Sequence, residues 1–317
     1  MGKRYQRIDV VFDRYRQLSI KTSTRLRRKK TSRPVRRVKE SGLVSLPNFW
    51  SNFFALPENK ADLARFLSEE LLRQATEDKE IVTAGGFINE LLAQSSKYYT
   101  DTLSLIADHE EADTRLALHA INVTCNYCIV VATRDADVLI ILVSHCERMR
   151  CNDLWMMSGT SKKRKYTPVK EILHALPEGP VHTLIPFHTL IGCDTTSYLS
   201  GSTKASAWKV FKESHEHGRR RYYAESRQFF STALVQATNE ARHVLFFKKT
   251  KPEALPPTID VAHLHIRRAH FQAMIWKQAG SPHQDLPSPT DFGWELSEDR
   301  LKPILMTVKP SLLLLWR

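Results

Sequence analysis

The sequence predicts an α/β fold: a mainly parallel sheet flanked by helices, followed by a helical and extended carboxy-terminal region. Three observations carry this. Short apolar runs rich in β-branched residues alternate with stretches of helical periodicity, the order expected of a parallel sheet rather than a sandwich. Acidic residues stand at the ends of several of these segments, where α/β ligand sites form. The chain has 317 residues, 42% hydrophobic and 26% charged, which suffices for a sizeable core and argues against wholesale disorder.

Taken in order, Ile8 to Asp13 reads as a short buried strand ending in an acid, and residues 14–40 as a basic, polar segment. Leu46 to Leu56 is aromatic-rich and expected to pack on the body. Asn59 to Gln74 carries Leu63, Phe66, Leu67, Leu71 and Leu72 at helical spacing. Glu80 to Thr83 reads as a strand, and Glu110 to Asn122 as a helix with Ala112, Leu116, Ala117 and Ala120 on one side. Cys128 to Thr133 is the clearest strand; after Asp137 the chain is again apolar from Val138 to Val143. Asp153 to Met157 predicts another strand, Val169 to Leu176 a short helix, His182 to Gly192 an apolar helix or turn, and Lys204 to Glu213 a helix. A boundary is expected near Gly218. Beyond it lie a helix over Tyr222 to Val244, a linker over Lys251 to Thr258, a helix over Asp260 to Gln278 and an extended, Pro-rich tail. The domains read as 1–40 (first acid and basic segment), 41–100 (helical insertion), 101–217 (core) and 218–317 (carboxy-terminal extension).

Composition excludes several classes. No apolar run approaches the length of a membrane span; Leu312 to Trp316 is far too short. Lys3, Arg4 and Arg7 follow Met1 without an apolar stretch, so no secretory leader is expected. Five cysteines, an odd number, then predict reduced thiols in the cytosol or nucleus. The net charge of +13 is concentrated: residues 1–40 hold 15 Lys/Arg against Asp9, Asp13 and Glu40, whereas residues 41–317 hold 32 against 31 acids. The run Arg25, Arg27, Arg28, Lys29, Lys30, Arg33, Arg36, Arg37, Lys39 is too dense for an ordinary solvated face. A polyanion such as nucleic acid would screen its self-repulsion; a nuclear-localisation stretch or a basic tail is the plainer reading. Lys162 to Lys165 and Arg219 to Arg221 read as exposed loops.

Asp13, Asp135 and Asp137 follow predicted strands, Asp194 follows an apolar segment, and Glu111 and Asp113 open a helix, where the dipole favours negative charge. Carboxylates are hard oxygen ligands suited to Mg²⁺ or Mn²⁺. Held together without a metal they repel and raise one another's pKa. Singly, each acid is more simply a helix cap or a solvated turn; the order and context of all six positions carry the signal.

The order Phe12-Asp13, Glu111-Ala112-Asp113, Thr133-Arg134-Asp135-Ala136-Asp137 and Ile191-Gly192-Cys193-Asp194 resembles the flap-endonuclease branch of the PIN-like nuclease superfamily. That family carries Phe-Asp after an early strand, Glu-Ala-Glu on a helix, Glu-Asp-x-Asp at a strand end and Leu-x-Gly-x-Asp, then a Gly-rich helical hairpin. Ser200 to Lys204 stands in the hairpin's place. The spacing agrees, with 24 residues from Glu111 to Asp135 and 57 from Asp137 to Asp194. The resemblance covers roughly residues 8–40 and 100–215. His109 to Arg115 and Gly192 to Ser197 bring the chain closer still to transposon-derived PIN-like proteins of animal genomes.

The resemblance implies a nuclear, structure-specific endonuclease hydrolysing phosphodiester bonds in DNA with single-stranded character. Asp13, Glu111, Asp113, Asp135, Asp137 and Asp194 would be the catalytic acids holding two Mg or Mn ions. Arg25, Arg27, Arg28, Lys29 and Lys30 would fall in the basic arch that grips a strand, and Gly201 and Lys204 in the hairpin that holds the duplex backbone. The family has one more acid-bearing strand before the Phe-Asp strand, with no counterpart here. Asp113 replaces a Glu, and the hairpin lacks a second glycine. These departures define an alternative: a catalytically inactive nucleic-acid-binding or protein-interaction module, a truncated or domesticated mobile-element protein. A DDE-type transposase is a third reading; it requires a mixed sheet with its first Asp on the central strand and its last acid on a late helix, and a parallel sheet order would exclude it.

Among weaker signals, Cys125 and Cys128 have a CxxC spacing without a second pair, and structural thiols are the simpler account. His263, His265 and His270 do not share a helix face and read as surface residues. Trp155, Trp208, Trp276 and Trp294 are expected in the core.

Overall fold

A computed structural model of the chain describes residues 5–16, 18–21, 35–38, 45, 47–123, 128–176, 181–198, 203–217, 240, 242–245, 247, 255 and 257–307. The class is mixed α/β, as expected. Two compact units are present: Met1–Ile185 with Ala273–Pro287 and Ser297–Leu301, and Pro186–Gln272 with Ser288–Leu296 and Lys302–Arg317. The sequence suggested a break near Gly218; the units instead divide between Ile185 and Pro186, and residues 273–287 belong to the first. The expected helix over Tyr222 to Val244 and the linker before Thr258 lie mostly outside the described residues.

In the first unit the strands do not form one mainly parallel sheet. They form two three-stranded sheets, each with a parallel and an antiparallel pair. β1 (Arg7–Val11) runs parallel to β2 (Glu80–Ala84), with Arg7 opposite Glu80 and Val11 opposite Ala84; β3 (Ala93–Ser95) pairs antiparallel to β2. In the second sheet β4 (Cys128–Ala132) is parallel to β5 (Asp153–Gly159), and β6 (Arg164–Pro168) pairs antiparallel to β5. β1 was expected to be buried. All five of its residues are only half-buried, as befits a strand paired on one side.

The segment read as a basic loop, Lys162 to Lys165, is the turn and first residues of β6. Its hairpin needs Gly159 at φ +90°, where an added Cβ would lie 2.2 Å from the Lys163 carbonyl oxygen. Arg164 and Lys165 on this outer strand discourage further pairing.

Helices α1 (Trp50–Phe53), α2 (Pro57–Arg73), α3 (Ala112–Asn122), α4 (Ala136–His145) and α5 (Val169–Ala175) complete this unit's main elements. Pro57 stands at the start of α2, where its missing N–H costs nothing. α4 includes the apolar run Val138 to Val143. With Val138, Ile141 and Leu142 fully buried, the helix is apolar nearly all round rather than amphipathic. Val82, Ala84, Ala93 and Leu105 form a compact core cluster.

α3 carries two buried polar anchors. The Arg115 guanidinium, fully buried, donates to the carbonyls of Glu90 (3.0 Å), Leu91 (2.6 Å), Leu92 (3.1 Å) and Leu105 (3.2 Å). Burial lowers its pKa to about 10, with Arg14 adding to the effect. His119 Nδ1 lies 2.7 Å from Asp9 Oδ2, and Arg7 grips the same carboxylate at 2.7 and 2.9 Å. Burial alone would raise the Asp9 pKa, but the His119 and Arg7 hydrogen bonds outweigh it and hold the carboxyl below its ordinary value.

The second unit contains the end of α6 (Val181–Ile191), α7 (Lys204–His217) and most of α8 (Ile259–Lys277). Phe187, Trp208 and Phe211 pack with ring centroids 5.0 to 5.4 Å apart. His265, expected on the surface, is buried and pairs with the Leu190 carbonyl at 2.6 Å. Trp276, in the first unit, and Trp294, in the second, are buried as expected. The tail was expected to be extended throughout. It contains a hairpin, β7 (Trp294–Ser297) and β8 (Arg300–Pro303), turning through Glu298 and Asp299 at φ 52° and 53°. Two consecutive left-handed residues make the tight turn that matches strand twist.

Candidate functional site

The site is built where β1 ends and α3 begins. Pairing beside β1 extends one residue past the strand, with Phe12 N–H donating to Ala84 O at 2.9 Å. The next two residues attach to the start of α3: Asp13 Oδ1 accepts the Ala112 N–H at 2.8 Å, and Arg14 N–H donates to Glu110 O at 2.9 Å. Asp13 thus satisfies one of the N–H groups that a helix start leaves without a partner, and its charge sits at the positive end of the dipole. These bonds bring Asp13 beside Glu111 and Asp113, although 98 residues separate Asp13 from Glu111 in the sequence.

Glu111 is the N-cap residue of α3, and its side chain is only 6% exposed. One carboxylate oxygen lies 3.2 Å from the Lys21 ammonium, and the other receives a long, 3.5 Å hydrogen bond from the Trp276 indole N–H. Asp113 follows in the first turn. Burial is the main reason its pKa rises to about 7; Glu111 is next, Asp135 and Asp13 push the same way, and Lys21 opposes them. That dependence defines the site: Glu111, Asp13 and Asp135 all lie within electrostatic reach of Asp113.

Asp135 comes from the second sheet, three residues past β4. It is the N-cap of α4, accepting the Asp137 N–H at 2.9 Å, and its own N–H donates to Thr133 Oγ1 at 3.1 Å. The helix-cap reading of this residue holds, and its charge also acts on Asp113. Asp137, half-buried, occupies the first turn of the same helix. Among the described residues, no three His, Cys, Asp or Glu side chains stand close enough to grip one ion. The arrangement is a negative basin looser than a closed coordination shell.

Asp194 belongs to the second unit, in the turn after α6. There the Cys193 N–H donates to Thr196 Oγ1 at 2.9 Å, and Thr196 Oγ1 donates to Thr189 O at 2.8 Å. Gly192 has φ +125°, and an added Cβ would meet the Tyr198 ring at 2.6 Å. Cys193 is buried against the Thr195 and Thr196 hydroxyls, in keeping with a structural thiol. Lys204, the first residue of α7, points its ammonium at His188 Nε2, 2.7 Å away. Gly201 lies outside the described residues, as does Cys125.

Arg25, Arg27, Arg28, Lys29 and Lys30 also lie outside them, but both flanks of the basic run are fixed to the first unit. On one side Ser19 hydrogen-bonds to Glu110 and Lys21 pairs with Glu111. On the other, buried Asn59 donates to the carbonyls of Val35 (2.7 Å) and Phe53 (2.9 Å). It accepts from Arg36 (2.9 Å) and the Arg37 N–H (3.0 Å), and Arg36 also pairs with Asp62 at 2.6 Å.

Lys21 is the residue that sequence reasoning missed. Burial works against its charge, yet Glu111, with Asp113 and Asp13 behind it, outweighs burial and lifts the ammonium above its ordinary range. Nothing in the sequence separates it from the other 14 Lys/Arg of residues 1–40.

No described helix is long and apolar enough to cross a membrane. Compared with protein-family models, curated proteins and solved structures, the chain matches none.

Proposed function

We propose that the chain is a PIN-like, flap-endonuclease-like protein that acts on nucleic acid in the nucleus. It would hydrolyse phosphodiester bonds with Mg²⁺ or Mn²⁺, in DNA with single-stranded character. The observation that supports this best is the basin: two strand ends and one helix start bring three carboxylates from distant parts of the chain into electrostatic range of Asp113.

The donor set suits a hard divalent cation in chemistry, being all carboxylate oxygen. The Asp113 pKa near 7 reports burial and negative charge that an added cation would offset. Glu111, Asp113 and Asp135, with Asp13, would hold such an ion; the resemblance adds Asp137. When bound, two such ions supply a nucleophile from water at neutral pH and stabilise the leaving oxygen of a phosphodiester. The chain's own contribution is positional. Asp13 and Asp135 are held by helix N–H groups, so their remaining oxygens face a fixed direction. The basic run, tethered at Ser19–Lys21 and at Arg36–Arg37, provides charge for the phosphates of a strand.

The test is incubation of purified protein with flap and single-stranded DNA and Mn²⁺, beside Asp135→Asn. Asn keeps the helix cap and removes the charge. Metal-dependent cleavage that the substitution abolishes supports the proposal; no cleavage, or cleavage unchanged by it, overturns it.

A second reading, a silent module that binds nucleic acid without turnover, is favoured by two features. No three of the described acids converge at ligating distance, and an ammonium already sits in the basin. Steeply salt-dependent DNA binding without cleavage would select it. The transposase reading has its mixed sheets but not its central strand: it places the first Asp on a central strand, whereas Asp13 leaves a strand at a sheet edge.

A further inference from the structure

The segment Leu46 to Leu56 contains four aromatic rings and was expected to pack on the body. One of them does: Phe53, in α1, is 4% exposed. Phe49, Trp50 and Phe54 are 71%, 40% and 41% exposed. Trp50 and Phe54 stack, with centroids 5.3 Å apart and planes 29° from parallel, and Phe53 packs edge-on against both, at 5.7 and 5.4 Å. Residues 35–38 lie against the same helix. Asn59 donates to the Val35 and Phe53 carbonyls alike, the Val35 N–H donates to Asn52 O at 3.4 Å, and the Val35 and Val38 side chains are exposed. Charge is divided sharply between the two segments. Residues 41–57 contain no charged side chain, whereas residues 25–39, whose last part is this tethered stretch, contain nine Lys/Arg and no acid. Arg36 is taken up by Asp62 and Asn59 and works as an anchor, so the rest of the run extends from a point fixed beside the rings.

We propose that Phe49, Trp50 and Phe54 are a stacking platform for unpaired bases, and that the basic run beside them holds the phosphates of the same strand. The inference rests on reading nucleic acid as the partner, and is independent of whether the chain hydrolyses it. Exposed rings offer flat faces on which any base can stack, and the cations neutralise the backbone; together these are the parts of a single-strand groove. A duplex hides the flat faces of its bases within its own stack, so the platform selects single-stranded segments. Charge and geometry decide against the other occupants. A second copy of the chain would bring the same +13 charge and the same basic run to the contact. An anionic membrane surface would match the charge, but α1 is one turn long and provides no amphipathic face to lie in it.

The test uses the full chain in EDTA, so that no strand is cleaved, with fluorescein-labelled oligothymidine as the probe and fluorescence anisotropy as the readout. Phe49→Ala and Trp50→Ala are each expected to weaken binding by about fivefold or more, the worth of one stacked base. The salt dependence stays the same, because no charge is lost. Phe49 is the most exposed of the three rings, so its replacement disturbs the fold least. An abasic strand of equal length carries the same phosphates without bases; the wild type should bind it more weakly, and the two variants should bind it as the wild type does. Variants that bind oligothymidine as tightly as the wild type, or a wild type that binds the abasic strand equally well, overturn the platform while nucleic acid as the partner stands. A wild type that binds neither strand overturns both. Binding to phosphatidylserine vesicles in place of the strand, or a dimer that Phe49→Ala dissolves, assigns the patch to that partner and overturns the proposal. A second measurement needs no variant: ultraviolet crosslinking of an iodouracil-bearing strand to the wild type, mapped by mass spectrometry. Crosslinks are expected at Phe49, Trp50 or Phe54; crosslinks found only elsewhere contradict the proposal.

Discussion

Replacing Asp113 by Asn asks whether the acids crowd one another. In the native protein the Asp113 carboxyl rises from an ordinary value of 3.8 to about 7, through burial first and Glu111 second. At about 1.36 kcal/mol per pH unit, holding this group ionised above pH 7 costs the metal-free fold about 4 kcal/mol. The sign follows from linkage. A carboxyl whose pKa is raised by folding carries no penalty below pH 3.8, and stability is lost as pH rises from there through 7. Between pH 5 and pH 8 the loss is about 2–3 kcal/mol. Asn at this position cannot ionise, so the variant lacks that loss. It also forgoes a favourable charge in the first turn of α3, an opposing effect of about 0.3–1 kcal/mol. The assay is urea denaturation in EDTA at pH 5 and pH 8. Asp113→Asn should gain on the wild type by about 2–3 kcal/mol between the two. A difference independent of pH would refute the claim that Asp113 is buried among like charges.

Three further outcomes are expected. Arg115→Met removes four hydrogen bonds to backbone carbonyls, of which those of Leu91 and Leu92 keep a backbone N–H, and should cost about 2–4 kcal/mol in thermal or urea denaturation; a loss below about 1 kcal/mol contradicts the anchoring role. Folding holds the Asp9 pKa below 3.8, so its contribution is present above that pH and lost as pH falls below it. Asp9→Asn should be less stable at pH 7, lose less on acidification and bind Mn²⁺ as the wild type does, because Asp9 faces Arg7 and His119. Asp135→Ala should lose about 1 kcal/mol of stability with its helix cap, whereas Asp135→Asn should retain most of it; denaturation of both separates capping from charge.

How much of this could be read from the chain depended on where the stabilising energy lies. β4 and β5 were legible because Cys128 to Ala132 and Asp153 to Met157 are apolar runs of strand length. α2 and α3 were legible from helical spacing. β3 and β6 were not: Ala93–Ser95 is short and Arg164–Pro168 is polar, and both owe their strand form to the partner beside them. The single parallel sheet failed because strand order is a tertiary property. Ile8 to Phe12 reads the same whether it pairs on one side or two. The nearness of Asp13, Glu111, Asp113 and Asp135 was legible in outline, since acids after strands and at a helix start tend towards one end of a sheet. The bond from Ala112 to Asp13 that enforces it was not. Arg115 and His265 illustrate the remaining gap. In sequence each is a polar residue on a helix, and only backbone carbonyls supplied by distant segments make burial tolerable.

The account's central claim, that the basin takes a divalent cation, is tested most directly by the anomalous scattering of manganese in crystals of the protein soaked in MnCl₂. The account predicts a peak bounded by the carboxylates of Glu111, Asp113 and Asp135. A map with no peak there at saturating Mn²⁺ would contradict it.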